Sequence, residues 1–288
     1  VPPLAVLTAM ATRWLFGTHE DELPPSPDLE DAAGDDVIPE QLPSILGQRA
    51  CITYYVDGAR EPTTVATSDA AVPAEPRCYR DAYPVFLLLD MTKGCGGKIW
   101  PAAEVLGAYI ASMPMRYAPG SADLALARHP WRGKRIVELG SGTGLIGFLV
   151  AKIGCGCTTW ITDQSPMLPL MHENHALNGD MSDACHVAEL DWGHPVAEEM
   201  QHPDVILLAD CVYRESAFQP LVDTLCELAT PATEILFCYH KRRKADKRFF
   251  ALLKPHFLYT HVEDDDPARR AAYNRDGTFL MRFCKRSP

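Results

Sequence analysis

Apolar positions along this 288-residue chain fall into two regimes. From residue 134 onward, short runs rich in Val, Ile and Leu alternate with longer stretches at helical spacing. KRIVELG (134–140), TTWITD (158–163), ACHVAEL (184–190), PDVILLAD (203–210) and EILFCYH (234–240) read as strands. GLIGFLVAKIG (144–154), PLMHENHALNG (169–179), AFQPLVDTLCELA (217–229) and KADKRFFALLK (244–254) read as helices, and FLYTHVE and TFLMRFCKR as two closing strands. Strands alternating with helices predict βαβ units, hence an α/β, doubly wound, mostly parallel sheet covered on both faces. Before residue 134 the pattern is sparser. ACITYYVDG (50–58) and PVFLLLD (84–90) read as strands around a Thr-, Ala- and Pro-rich stretch. IWPAAEVLGAYIAS (99–112) reads as a helix with Pro101 in its first turn, and 113–133 as a connector. The expected organisation is an acidic segment (1–48), an extension (49–132) packing on the core, and the core itself (133–288).

Charge changes the picture at the N-terminus. No Lys or Arg lies between Arg13 and Arg49, whereas acidic residues from Glu20 to Glu40 are interleaved with Pro24, Pro25 and Pro27. Too little apolar surface is present there to offset the entropy of ordering, so a disordered, solvating tail is expected. The net charge of −11 argues against a protein that grips phosphate backbones; no direct nucleic-acid partner is expected, and a basic partner is favoured. No run approaches a membrane span, and the apolar VPPLAVLTAMATRWLFG lacks a basic flank before it, so neither membrane association nor a secretory leader is expected. Ten cysteines, scattered except for Cys155 and Cys157, fit a reducing, cytoplasmic compartment.

In open α/β sheets the ligand sits beyond the carboxyl ends of the strands, at the switch point. Here that place carries VELGSGTGLIG (137–147), whose Gly140, Gly142 and Gly144 permit a sharp turn and close backbone approach. Gly142, Gly144 and Gly147 also satisfy the dinucleotide fingerprint, which leaves a nicotinamide enzyme open. Glu138, two residues before the first glycine, instead completes E-x-G-x-G-x-G, a pattern characteristic of S-adenosylmethionine sites, where a carboxylate suits a cationic ligand. Asp163 ends the next strand, where a carboxylate either accepts two ribose hydroxyls or caps a helix.

PDVILLADCVYRE places Asp210 and Tyr213 at D-x-x-Y spacing past another strand end. A carboxylate and a phenol suit a primary amine, and no N-P-P-Y-like run is present to point to nucleobase or glutamine amides. His172 and His175 lie three apart, without a third ligand, and read as a solvated helix face; no metal is expected. KRRKADKR (241–248) is strongly basic and stands at the active-site edge of the sheet, where substrate docking is favoured over nucleic-acid binding, nuclear targeting or a plain solvated face.

VELGSGTG, Trp192 of ELDWGHP, ADCVY and Trp100 of GGKIWPAAEVL together resemble the seven-β-strand lysine methyltransferases often called family 16, over residues 93 to 285. The resemblance implies a Rossmann-like class I methyltransferase fold of seven strands with an N-terminal β extension, and S-adenosyl-L-methionine as cofactor. It implies that Trp100, Gly140, Ser141, Gly142, Asp163, Trp192 and Ala209 line that cofactor, with Trp192 against the adenine, while Asp210 and Tyr213 face the substrate. Without it, Trp100 and Trp192 read as core aromatics. More narrowly, GCGGKIWPAAEVL and YHKRRKADKRFF resemble fungal elongation-factor lysine methyltransferases, which implies a lysine of translation elongation factor 1A as substrate; a monomer is expected. The acidic segment and the 59–82 loop fall outside that pattern. A small-molecule amine methyltransferase and a binding module remain open alternatives on the same sheet.

Overall fold

Central strands that are apolar on both faces must be covered twice, and that requirement organises this chain. The structure, a computed structural model, describes residues 45–60, 64–66, 82–117, 129–179, 181, 183–242 and 246–287. The acidic stretch, most of the 59–82 loop and residues 243–245 of the basic run lie outside them. Strands β1 (Gln48–Tyr55), β2 (Thr64–Ala66) and β3 (Ala82–Leu89) form a small antiparallel sheet in the order β2-β1-β3. Helices α1 (Pro101–Ala111) and α2 (Met113–Tyr117) follow. The main sheet contains β4 (Arg135–Leu139), β5 (Thr158–Asp163), β6 (Cys185–Glu189), β7 (Val205–Ala209), β8 (Glu234–His240), β9 (Phe257–His261) and β10 (Thr278–Lys285). Its order is β6-β5-β4-β7-β8-β10-β9, parallel from β6 to β8, with β10 antiparallel to both its neighbours. The expected seven-stranded, mostly parallel sheet is what forms.

Alternate residues of the central strands feed two cores. Ile136, Val205, Leu207, Leu236 and Leu280 face a cluster shared with the small sheet, α1, α3 (Leu145–Ile153) and α4 (Leu168–Leu177). Val137, Leu139, Ile206, Leu208 and Phe237 face the other, under α5 (Phe218–Leu228) and α6 (Asp246–Leu253). Phe237 centres an aromatic cluster there, 5.1 Å from both Tyr239 and Phe283 and 5.8 Å from Phe249. The small sheet is tied to the core by polar groups as well. Asn174 of α4 and Asn178 just past its end act on β3 as a strand edge would: their side-chain oxygens accept from Leu88 and Phe86 N–H, and their amides donate to the same residues' carbonyls. Asn174 is fully buried and donates also to Thr143 of the glycine turn, 3.0 Å away.

The 113–133 connector begins with α2, and β2 pairs inside the stretch read as a loop. A further helix, α7 (Pro267–Arg275), has no counterpart in the expectations because Tyr273 is its one buried residue, leaving no apolar period to detect. Its start signal is local: Asp266 accepts from Arg269 N–H, and Pro267 occupies the first turn. Among the described residues no helix is long and apolar enough to cross a membrane.

Candidate active site

The strand order reverses at β4, between β5 and β7, so the chain leaving β4 opens a crevice at the carboxyl ends of these strands. A cleft of about 270 Å³ occupies that place. Gly140, Ser141, Gly142, Asp163, Trp192, Trp100, Ala209, Asp210 and Tyr213 all line it.

The floor is built by close backbone approach. Gly140 and Gly142 have φ of 62° and 55°, a region closed to most side chains. A Cβ on Gly140 would lie 2.9 Å from the Trp192 ring, and one on Gly142 would lie 2.6 Å from the Gly96 carbonyl oxygen. The 94–97 loop therefore sits directly on the glycine turn. Alanine at Gly142 is expected to lower stability by more than its conformational strain of ~1–2 kcal/mol. Gly133, with φ of 69° and nothing within 4 Å of its Cβ position, supplies the strain-only comparison in parallel thermal melts. Equal losses for the two variants would remove the 94–97 contact as a constraint.

Gly144 does not line the cleft wall. It is the left-handed residue before α3, and its missing Cβ leaves room for the Phe148 ring at 2.5 Å. Gly147 likewise lets α3 approach Ile161. These two glycines pack a helix on a sheet. Ser141 is stitched into strand geometry: its N–H donates to Thr162 O, and its hydroxyl accepts from Thr162 N–H at 3.0 Å.

The carboxylates are held differently from one another. Asp163 accepts from Gly142 N–H and from Gln164 N–H, both at 2.8 Å, so it clamps the turn to the end of β5. Burial raises its carboxyl above the ordinary range against these two donors. Glu138 is buried beneath the turn and accepts from Gly147 N–H at 2.9 Å. Burial pushes its carboxyl up to about 8, the Gly147 N–H working the other way.

The folded chain thus retains a proton on Glu138 that the unfolded chain releases near 4.5. Stability from this group is complete below that value and is lost as pH rises towards about 8. Glu138→Gln is expected to melt level with the unsubstituted chain near pH ~4.5 and above it near pH ~8, read in thermal melts across that window. A pH-independent difference would detach the effect from this carboxyl.

Asp210 follows β7 with φ of 62°, one of two described non-glycine residues at positive φ. Its N–H donates to Cys238 O at 2.8 Å, extending the ladder by one residue. Its carboxylate, 6% exposed, is gripped by both terminal nitrogens of Arg242, one at 2.7 Å from Oδ1, and also accepts from His240 N–H. Burial works against the Arg242 charge, but the Asp210 pairing outweighs it and raises the guanidinium further. Tyr213 hydrogen-bonds with Cys95, and burial together with that thiol raises its phenol. The Trp100 indole donates to Cys95 O at 2.9 Å and has Lys98 Nζ 3.8 Å and the Arg242 guanidinium 5.3 Å from its ring centroid.

Cys95, Lys98 and Arg242 were not singled out from the sequence. Arg242 stands in the basic run just past β8, at the same sheet edge as Asp210, and that neighbourhood was its one available signal. His175 corrects the reading of HENH as solvated: its ring is half-buried, 6.0 Å from Phe148, with Nε2 3.1 Å from Cys185 O, while His172 is exposed. Among the described residues no three His, Cys, Asp or Glu side chains form a metal-holding group.

A family model described as lysine methyltransferase matches residues 81–256, a span that holds every residue lining this cleft. The chain belongs to the lysine methyltransferase family. It is 35% identical over 188 residues to the protein-lysine N-methyltransferase EFM6 of Saccharomyces cerevisiae, covering 59% of this chain and 74% of that protein. It is 34% identical to the protein N-lysine methyltransferase METTL21A of Danio rerio, covering 65% and 82%. With the EEF1A lysine methyltransferase 3 of Mus musculus it shares 31% over 60% and 68%. The matched span of this lysine methyltransferase runs from the start of β3 past α6, so the 94–98 loop, the glycine turn and Arg242 all belong to the family region.

Proposed function

We propose that this lysine methyltransferase binds S-adenosylmethionine across the glycine turn and methylates a lysine of a protein substrate at the Asp210 end of the same cleft. The observation that carries this reading is the convergence, in one cleft, of a strand-end carboxylate (Asp163), an indole lying on a glycine (Trp192 on Gly140), and a second carboxylate beside a phenol (Asp210, Tyr213). The residues fit the cofactor's parts. Asp163 spends two acceptor positions on backbone N–H groups and retains lone pairs for a ribose diol. Trp192 offers a flat apolar edge to an adenine. Glu138 keeps its proton in the ligand-free chain below about 8, and a cationic ligand in the cleft would draw this buried carboxyl towards its ionised form.

The bound cofactor supplies a methyl group on a sulfonium, activated for transfer. The chain supplies position and field. An acceptor lysine has an ordinary pKa of ~10.4 and reacts only as the neutral amine. Arg242 already neutralises Asp210, so an incoming ammonium meets a closed ion pair and a neighbouring guanidinium rather than a bare carboxylate. Lys98 reports that field: burial first, and Arg242 second, lower its amine below the ordinary lysine value. An acceptor amine placed alongside is pushed the same way, releasing its proton to water, while Tyr213 and the Trp100 face orient it. Asp210 keeps lone pairs beside the Arg242 fork, and these accept a hydrogen bond from the nitrogen as its charge develops during transfer.

We infer further that the substrate is translation elongation factor 1A, supported by the sequence resemblance and by the name of the mouse relative. The expected setting is cytoplasmic, in keeping with the nine described cysteines, all free thiols. The deciding experiment incubates the protein with radiolabelled S-adenosylmethionine and a cell extract, then maps the labelled band by mass spectrometry. A labelled lysine in a 1A-type factor is the expected result; label confined to small molecules would overturn the protein-substrate reading. In parallel, S-adenosylhomocysteine and not NAD is expected to raise the melting temperature.

A further inference from the structure

Lys98 is a cleft residue that takes no part in the reaction described above. It leaves the short turn Cys95–Gly97 two residues before Trp100, and it lines the cleft. A surface lysine ordinarily lays its stem on the protein and its ammonium in water. Here the side chain is half-buried and its Nζ lies over the Trp100 ring at 3.8 Å, on an indole that Arg242 also approaches. The charged and titratable groups that act on the amine are Arg242, Cys95 and Asp210. Cys95 in turn holds Tyr213. The Lys98 amine therefore lies among the groups assigned to the acceptor end of the cleft.

We propose that Lys98 is itself a methyl acceptor: in the absence of a protein substrate, its ε-amine takes a methyl group from the bound cofactor. The proposal rests on the assignment of this cleft to S-adenosylmethionine and lysine. The Lys98 ammonium first gives a proton to water. The nitrogen lone pair then forms a bond to the methyl carbon as the carbon–sulfur bond breaks, and that bond's electron pair goes to sulfur, which leaves as a neutral thioether. The product is a methylammonium at position 98. Burial and the Arg242 charge, which hold the amine below the ordinary lysine value, favour the neutral nucleophile. Arg242, the other nitrogen group on the same ring, remains protonated and is no nucleophile.

The test uses the full chain with labelled S-adenosylmethionine and no substrate, followed by peptide mapping. The expected result is a methyl mark on the peptide containing Lys98, with the fraction of chains labelled per unit time independent of protein concentration over a tenfold range. Lys98→Arg is expected to remove the mark, and calorimetric titration with S-adenosylhomocysteine shows whether that variant still folds and binds. A second readout needs no turnover. Acetic anhydride labelling across pH should acylate Lys98 with a midpoint below that of the other lysines, and saturating S-adenosylhomocysteine should slow labelling at that site. Label on another lysine, a fractional rate that rises with protein concentration, or an ordinary unprotected Lys98 would each overturn the proposal. If extract protein is labelled and Lys98 is not, this proposal alone fails; if neither is labelled, the reading of the cleft fails with it.

Discussion

Alanine at Asp163 is expected to weaken S-adenosylhomocysteine binding by about 100-fold, or ~2.7 kcal/mol. Two losses add to reach that figure. A carboxylate that accepts hydrogen bonds from ligand hydroxyls contributes ~1.5–3 kcal/mol, and the variant has nothing to replace it. The same carboxylate holds Gly142 N–H at 2.8 Å, so its removal also leaves a donor of the glycine turn unpaired where the 94–97 loop presses on it. Asp163→Asn separates the two: one oxygen still accepts, the NH₂ group faces a donor or a hydroxyl, and a loss of about 10-fold is expected. Isothermal titration of both variants, with thermal melts of the ligand-free proteins alongside, is the measurement. Wild-type affinity in the alanine variant would remove Asp163 from the ligand and leave it a clamp on the turn.

The clamp matters because the sequence offered a ribose acceptor or a helix cap, and the fold shows a third contact instead: Asp163 holds the Gly142 and Gln164 N–H groups and caps no helix. Residues 134–163 were legible because each strand there is a short apolar run and each helix carries its own period, so local pattern and tertiary burial agree. α7 was illegible for the opposite reason: a helix that buries only Tyr273 is stabilised by an aspartate cap and a proline, not by a stripe. Position along the sheet pointed to Asp163 and Asp210 as candidates, since strand ends are where such folds bind ligands, and both line the cleft. What each carboxylate touches was not readable. Arg242 lies 32 residues from Asp210, and only the adjacency of β7 and β8 brings them together. The contact of Gly96 on Gly142 is likewise a product of the docked extension; no local signal marks it. Even the attachment of that extension relies on two asparagines imitating a strand edge, a device with no periodic signature.

The Asp210–Arg242 pair yields the largest expected loss. Asp210→Ala is expected to retain S-adenosylhomocysteine affinity and to lose turnover by about 10²–10³-fold, the size of effect seen when one preorganised charge-stabilising group is removed. It also strands the half-buried Arg242 guanidinium, at a stability cost of ~3–5 kcal/mol, and places alanine at a φ that suits it poorly, adding ~1–2 kcal/mol. A loss of activity in this variant alone is therefore ambiguous between chemistry and folding. The double variant Asp210→Ala with Arg242→Ala resolves it, because removing both charges leaves no buried ion unpaired. Its melting temperature is expected to recover most of the loss, while its turnover stays low, since the carboxylate that meets the developing charge is still absent. Recovery of turnover together with stability would mean that Asp210 serves only to neutralise Arg242, and the acceptor amine would then have to be held by Tyr213 and the Trp100 face alone.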